Sequence, residues 1–155
     1  MLDLPFRNLT ADKTLKKDFF ENIIKAGMRE LNMEGKHVGI SVNLVGESKI
    51  KELNNKYRHK NKVTDVLSFP MSIGALQKLL TTNYLLHATD LGDIFIYPSF
   101  AKKAAKRENI AVETELARLV VHGFLHLAGY DHENHAAEAR EMERLEQVIL
   151  DRLSL

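Results

Sequence analysis

Three histidines within eleven residues carry the densest chemistry in the chain: His122-Gly-Phe-Leu-His126-Leu-Ala-Gly129-Tyr-Asp-His132. Residues four apart on an α-helix lie one turn above the other, about 40° apart around the axis. His122 and His126 can therefore aim two imidazoles at one point. Gly129 ends such a helix, and the chain can then fold back to bring His132 to the same point. Three neutral imidazoles with a fourth position left open are the ligand set of a catalytic zinc centre, whereas structural zinc sites are closed by four protein ligands. Imidazole also suits nickel, copper and iron, so the spacing defines a site, with one zinc ion per chain as the expected occupant.

The pattern His-x3-His-x2-Gly-x2-His is also the spacing of the long zinc-protease signature. That signature places a glutamate directly after the first histidine, as the general base that activates water. Here the position is Gly123. Peptide hydrolysis would need a base from elsewhere, and neither Asp131 nor Glu133, which flank His132, carries a sequence sign of pointing inward. A bound ion can lower the pKa of water to about 7 without a neighbouring base. This favours a substrate that needs hydroxide and an electrostatic clamp. His37, His59, His87 and His135 stand apart from the cluster, and His135 reads as an exposed residue at a helix start.

A second constellation runs Leu53-Asn-Asn-Lys56-Tyr-Arg58-His-Lys60-Asn-Lys62-Val-Thr64-Asp65-Val-Leu-Ser68-Phe69-Pro70. From Lys49 to Lys62 six Lys/Arg face a single acid, Glu52, while from Glu133 to Leu155 six acids face three arginines. Arginine clamps a phosphate through two parallel hydrogen bonds and lysine supplies a point charge. Placed beside the histidines, Arg58 with Lys56, Lys60 and Lys62 would add an anion clamp to an activated water, the combination phosphodiester cleavage requires. Placed elsewhere, they would only solubilise a loop, and Thr64 and Asp65 would only start a strand.

The elements that must position these groups are legible from periodicity. Leu15, Phe19, Ile23, Ile24, Met28 and Leu31 recur at helical steps between about Asp12 and Asn32. Val38, Ile40, Val42 and Leu44 alternate as a half-buried strand over His37 to Val45. Glu47 to Arg58 reads as a helix after Gly46, with Ile50, Leu53 and Tyr57 on one face, and Val63 to Phe69 as a strand closed by Pro70. Between Met71 and Asp90 the expectation is a short helix at Ala75–Leu80 and a polar loop. Gly92 to Tyr97 is a strand stopped by Pro98, with Ser99 as N-cap of a helix through Arg107. A helix from Val112 to Ala128 carries the first two histidines. A last helix, His135 to Leu153, turns Ala139, Met142, Leu145, Ile149 and Leu153 inward.

Strands and helices intermix without strict alternation. The expectation is an α+β fold, one domain over residues 1–155, with a small mixed sheet packed by helices and the metal site on the penultimate helix and the turn after it. A length of 155 residues suits one domain, and 45% hydrophobic with 28% charged residues excludes a disordered or collagen-like chain. No apolar run approaches the ~20 residues of a bilayer span, and Asp3 stands where a signal peptide would be basic. The chain has no cysteine, so a metal must be held by histidine, carboxylate or carbonyl. A cytoplasmic protein without membrane association is expected.

The run from His122 to His132 resembles the signature of the bacterial YbeY family of metal-dependent endoribonucleases. Tyr57-Arg58 with Thr64-Asp65-Val66-Leu67-Ser68-Phe69-Pro70 looks like its second block and Leu91-Gly92-Asp93-Ile94 like its third, in the family's order. The resemblance implies zinc bound by His122, His126 and His132, and a catalytic role for Arg58. It further implies maturation of the 3′ end of small-subunit ribosomal RNA by cleavage of single-stranded segments, ribosome quality control, and the ribosome and small-subunit assembly factors as partners. Two other readings stay open on the residues alone: a zinc metallopeptidase-like hydrolase, and a non-catalytic RNA-binding assembly factor with structural zinc.

Overall fold

A computed structural model describes residues 1–71, 89–133 and 135–155. The order of elements is β1 (Leu2–Asp3), β2 (Phe6–Asn8), α1 (Lys17–Glu30), β3 (Val38–Leu44), α2 (Glu47–Arg58), β4 (Val66–Pro70), β5 (Thr89–Ile96), α3 (Pro98–Glu108), α4 (Val112–Leu127) and α5 (Ala136–Leu153). The fold is α+β, as the intermixed elements predict. β3 is central: β1 and β2 pair with it in parallel on one edge and β5 in parallel on the other, while β4 pairs antiparallel with β5.

Alternation along the strands sends side chains to two faces. Val38, Ile40, Val42 and Leu44 of β3 and Ile94 and Ile96 of β5 enter a core shared with Phe20, Ile24 and Met28 of α1, Val120 and Phe124 of α4, and Met142, Leu145 and Ile149 of α5. The opposite face carries a smaller cluster, in which Ile50 and Leu53 of α2 cover Leu67, with Phe69 and Phe95 packed alongside. The α2 helix thus lies across the sheet from α4, the helix that bears His122 and His126.

Several boundaries differ from the sequence expectation, each for a local reason. The first helix begins at Lys17 rather than near Asp12. Asp12 accepts hydrogen bonds from the Thr14 amide and hydroxyl and pairs with Lys102 at 2.5 Å, while its carbonyl holds Asn8. These contacts fix an irregular clasp and hold the Asp12 carboxyl well below the usual carboxylate range. The strand expected from Val63 starts at Val66, whose amide donates to the Asp65 carboxylate at 2.8 Å. Strand β5 begins at Thr89, earlier than its polar start indicates, because Thr89 and Asp90 pair with Val38 and Gly39; the register then shifts, and Gly92 at φ 128° leaves no room for a Cβ beside the Phe69 carbonyl. Ser99 is not the cap of α3: Pro98 takes the first helical position after Tyr97, where a missing N–H is harmless. Ala139 and Leu153 are half-buried on α5, and Met142, Leu145 and Ile149 fully so. The expected helix at Ala75–Leu80 lies outside the described residues.

Candidate metal centre

Helix α4 packs against α1, α3, α5, β4 and β5. Every residue from Glu115 to Leu127 is buried except Arg118, His122 and His126. These three recur at four-residue steps, so a helix otherwise buried over this stretch presents one polar stripe. Arg118 is taken up by Glu108 and Glu115, at 3.4 and 3.6 Å. The two histidines are half-buried and remain for other work. After Leu127 the helix closes at Ala128, and Gly129 takes φ 91°, a conformation costly to residues with a Cβ. The turn this allows brings His132 back. Candidate ligand nitrogens of His122, His126 and His132 all lie within 4.8 Å of one another, with ring centroids 4.6 to 5.2 Å apart.

The hydrogen bonds assign the tautomers. His126 Nδ1 lies 3.0 Å from the Tyr130 carbonyl oxygen. A carbonyl only accepts, so Nδ1 carries the hydrogen and Nε2 keeps a bare lone pair. His122 Nδ1 lies 2.6 Å from Glu146 Oε1, which accepts its hydrogen; in the neutral imidazole that a metal needs, Nε2 is then the free ligand atom. The two Nε2 atoms are 3.1 Å apart. At that distance the two nitrogens share a proton as an N–H···N hydrogen bond or, both deprotonated, can share a cation. Two nitrogens bound tetrahedrally at about 2.0–2.1 Å are themselves roughly 3.3 Å apart. Burial foremost, then the neighbouring His122 and His132, pushes the His126 pKa down. His126 is thereby kept in the neutral form that a metal requires. The donor set fits a divalent metal ion, which these three histidines could hold.

Sequence reasoning missed Glu146, which reaches the site from α5. Its signal is an acid where the apolar stripe Met142, Leu145, Ile149 leaves room for one more inward residue. Glu146 also lines a cleft of about 400 Å³ beside the cluster, together with Asp65, Val66, Arg118, Leu119 and His122. Gly123 is explained by packing: a Cβ there would approach Ile94 of β5 to 3.2 Å. The position faces the sheet, so a glutamate in it would not reach the metal side of the helix.

Arg58 is brought to the turn that carries His132. Its guanidinium lies 3.6 Å from the carboxylate of Glu133, the residue after His132. Lys56, Lys60 and Lys62 are exposed, on the last turn of α2 and the loop after it. That loop is held by a residue sequence reasoning passed over. Asn54 is buried, and its amide donates to the Lys62 carbonyl at 2.8 Å while the Lys60 amide bonds its backbone carbonyl. His135 occupies the N-cap position of α5 and is exposed, as expected. His37 and His59 lie outside the cluster, and His87 lies outside the described residues.

Fold and site define a small α+β protein with a three-histidine cluster that could hold a metal ion. A sequence model described as Endoribonuclease YbeY matches residues 6–154, and the chain belongs to that family. Endoribonuclease YbeY of Thermodesulfovibrio yellowstonii is 48% identical over 114 residues, 74% of this chain and 66% of that protein. The Aquifex aeolicus protein of the same name is 35% identical over 144 residues, 92% of this chain and 87% of its own length. The solution structure of TM1509 from Thermotoga maritima superposes with a TM-score of 0.64 at 28% identity, covering 96% of this chain and 87% of that one. Among the described residues no helix is long and apolar enough to cross a membrane.

Proposed function

We propose that the protein is a zinc-dependent endoribonuclease that cuts single-stranded segments in 3′-end maturation of small-subunit ribosomal RNA. Residues 1–155 act as one unit. The observation that carries this reading is the convergence of His122, His126 and His132 within 4.8 Å, inside a chain of the endoribonuclease YbeY family. His122, His126 and His132 hold the ion, with zinc the occupant that three imidazoles and an open position suit best. When bound, the ion activates water and draws charge from a phosphoryl oxygen. The chain's own residues do the rest. Glu146 and the Tyr130 carbonyl fix the two imidazoles in one tautomer. Arg58 takes a non-bridging oxygen in its fork, where negative charge grows in the transition state. Lys56, Lys60 and Lys62 attract the flanking phosphates, and Gly123 leaves the helix without a protease-type base. Family membership supports action in the cytoplasm on the ribosome, alongside small-subunit assembly factors.

The test compares a single-stranded ribosomal RNA 3′-precursor with an unstructured protein substrate, each with and without chelator. Internal RNA cuts that stop with chelator, return with zinc and vanish in His126→Ala are expected. RNA cleavage unaffected by metal removal, or digestion of the protein substrate, would overturn the proposal.

A further inference from the structure

Along α2 the apolar stripe Ile50, Leu53, Tyr57 does not end as it begins. Ile50 and Leu53 are buried, but Tyr57 on the last turn is 55% exposed. One side of its ring rests on Phe69 of β4, with centroids 5.1 Å apart, and Phe69 in turn meets Phe95 of β5 edge-on at 5.7 Å. The tyrosine is thus braced by a row of aromatic rings and more than half exposed, with the ammonium of exposed Lys56, a side chain a base could displace, over its ring. The residues next to it in the chain carry one sign of charge. Lys56 Nζ stands 5.1 Å from the ring centroid, Arg58 follows in sequence, and exposed Lys60 and Lys62 lie on the next loop. From Leu53 to Thr64 there is no acid.

We propose that Tyr57 is a base-stacking platform for single-stranded RNA, set between cations that hold the flanking phosphates. The inference rests on the nuclease reading and gives its site a binding element. A rigid aromatic face among cations is how proteins grip single strands without reading sequence, since every base has a π-face. In duplex RNA the bases already stack on one another, so the platform selects unpaired segments. The contact between Arg58 and Glu133, one residue from His132, ties this end of α2 to the metal centre. The stacked base therefore belongs to a nucleotide near the phosphate that Arg58 and the histidines take.

The probe is a single-stranded RNA oligonucleotide carrying one 2-aminopurine, whose fluorescence is quenched by stacking, titrated with full-length protein in chelator so that nothing is cut. Tyr57→Phe and Tyr57→Trp, which keep a ring, should bind and quench like the parent. Tyr57→Leu keeps apolar bulk against Phe69 but has no π-face. It should lose about 5- to 150-fold in affinity, the range of one base–aromatic stack, and should lose the quenching while keeping the parent's salt dependence. Tyr57→Leu binding as tightly as the parent, or losing duplex and single-strand binding alike, would overturn the proposal. If the parent cuts RNA with zinc and Tyr57→Leu still binds normally, only the platform fails. If the parent neither binds nor cuts RNA, the nuclease reading fails with it.

Discussion

At the scale of single residues, the three histidines were legible because helical geometry ties spacing to direction, and a glycine marks where direction changes. Their supports were not, because nothing in local spacing connects Glu146 to His122 across 24 residues, or makes a backbone carbonyl at Tyr130 visible. Ligating histidines depend on such outer partners, whose loss typically weakens metal binding 10- to 100-fold. Glu146→Gln should lower zinc affinity by about that much, measured by competition with a chromophoric chelator, with the helix content of the protein unchanged. Arg58→Ala should leave zinc affinity untouched and lower the single-turnover cleavage rate by roughly 10²–10³, the scale of one lost preorganised donor. Arg58→Lys should recover part of the rate, since the charge remains and the fork does not. If Arg58→Ala loses affinity for RNA but keeps the bound-state rate, Arg58 belongs with the lysines.

At the scale of elements, long amphipathic helices and alternating strands stood out, and the misses share one cause. The two- and three-residue strands β1 and β2 are too short to alternate, and Pro5 lies between them. Their place is set by pairing with β3, a tertiary fact. The Asp12 clasp likewise depends on Lys102, 90 residues away. Gly123 belongs to this scale as well. Its type reads as a missing base from the sequence and as a packing requirement from the structure, and substitution separates the two. Gly123→Ala should cost about 1–3 kcal/mol in chemical denaturation, the scale of overpacking, because its Cβ would press on Ile94, a buried β-branched side chain, at 3.2 Å. Gly123→Glu should cost more than about 3 kcal/mol in chemical denaturation, the penalty for an unpaired buried charge, and should confer no peptidase activity.

Across the whole molecule, charge and topology act together. A net charge of +1 gives no sign of a nucleic-acid partner, because the basic segment that ends α2 is offset by acids near the C-terminus. RNA affinity should nonetheless fall with rising salt. Lys60→Ala and Lys62→Ala should each flatten that dependence by about one unit of log–log slope without slowing cleavage once RNA is bound. A linear plot of unchanged slope in both variants would remove these lysines from the contact surface.

The parallel pairing of β3 with β5 also sets a timetable. Val38 meets Thr89 and Leu44 meets Ile96, partners separated by about fifty residues of chain, and closing such a loop costs roughly 3–4 kcal/mol of entropy before any contact offsets it. During synthesis, at about 5–20 residues per second, the centre of the sheet waits several seconds for its second strand. Helix α4, which packs on that strand, emerges later still. Folding limited by that closure would bring the histidines together only after the slow step. Zinc should leave the folding limb of a stopped-flow chevron where it is and slow the unfolding limb, because the ion grips contacts that the transition state has yet to make. A folding rate that rises with zinc would mean that the histidines come together before the sheet does.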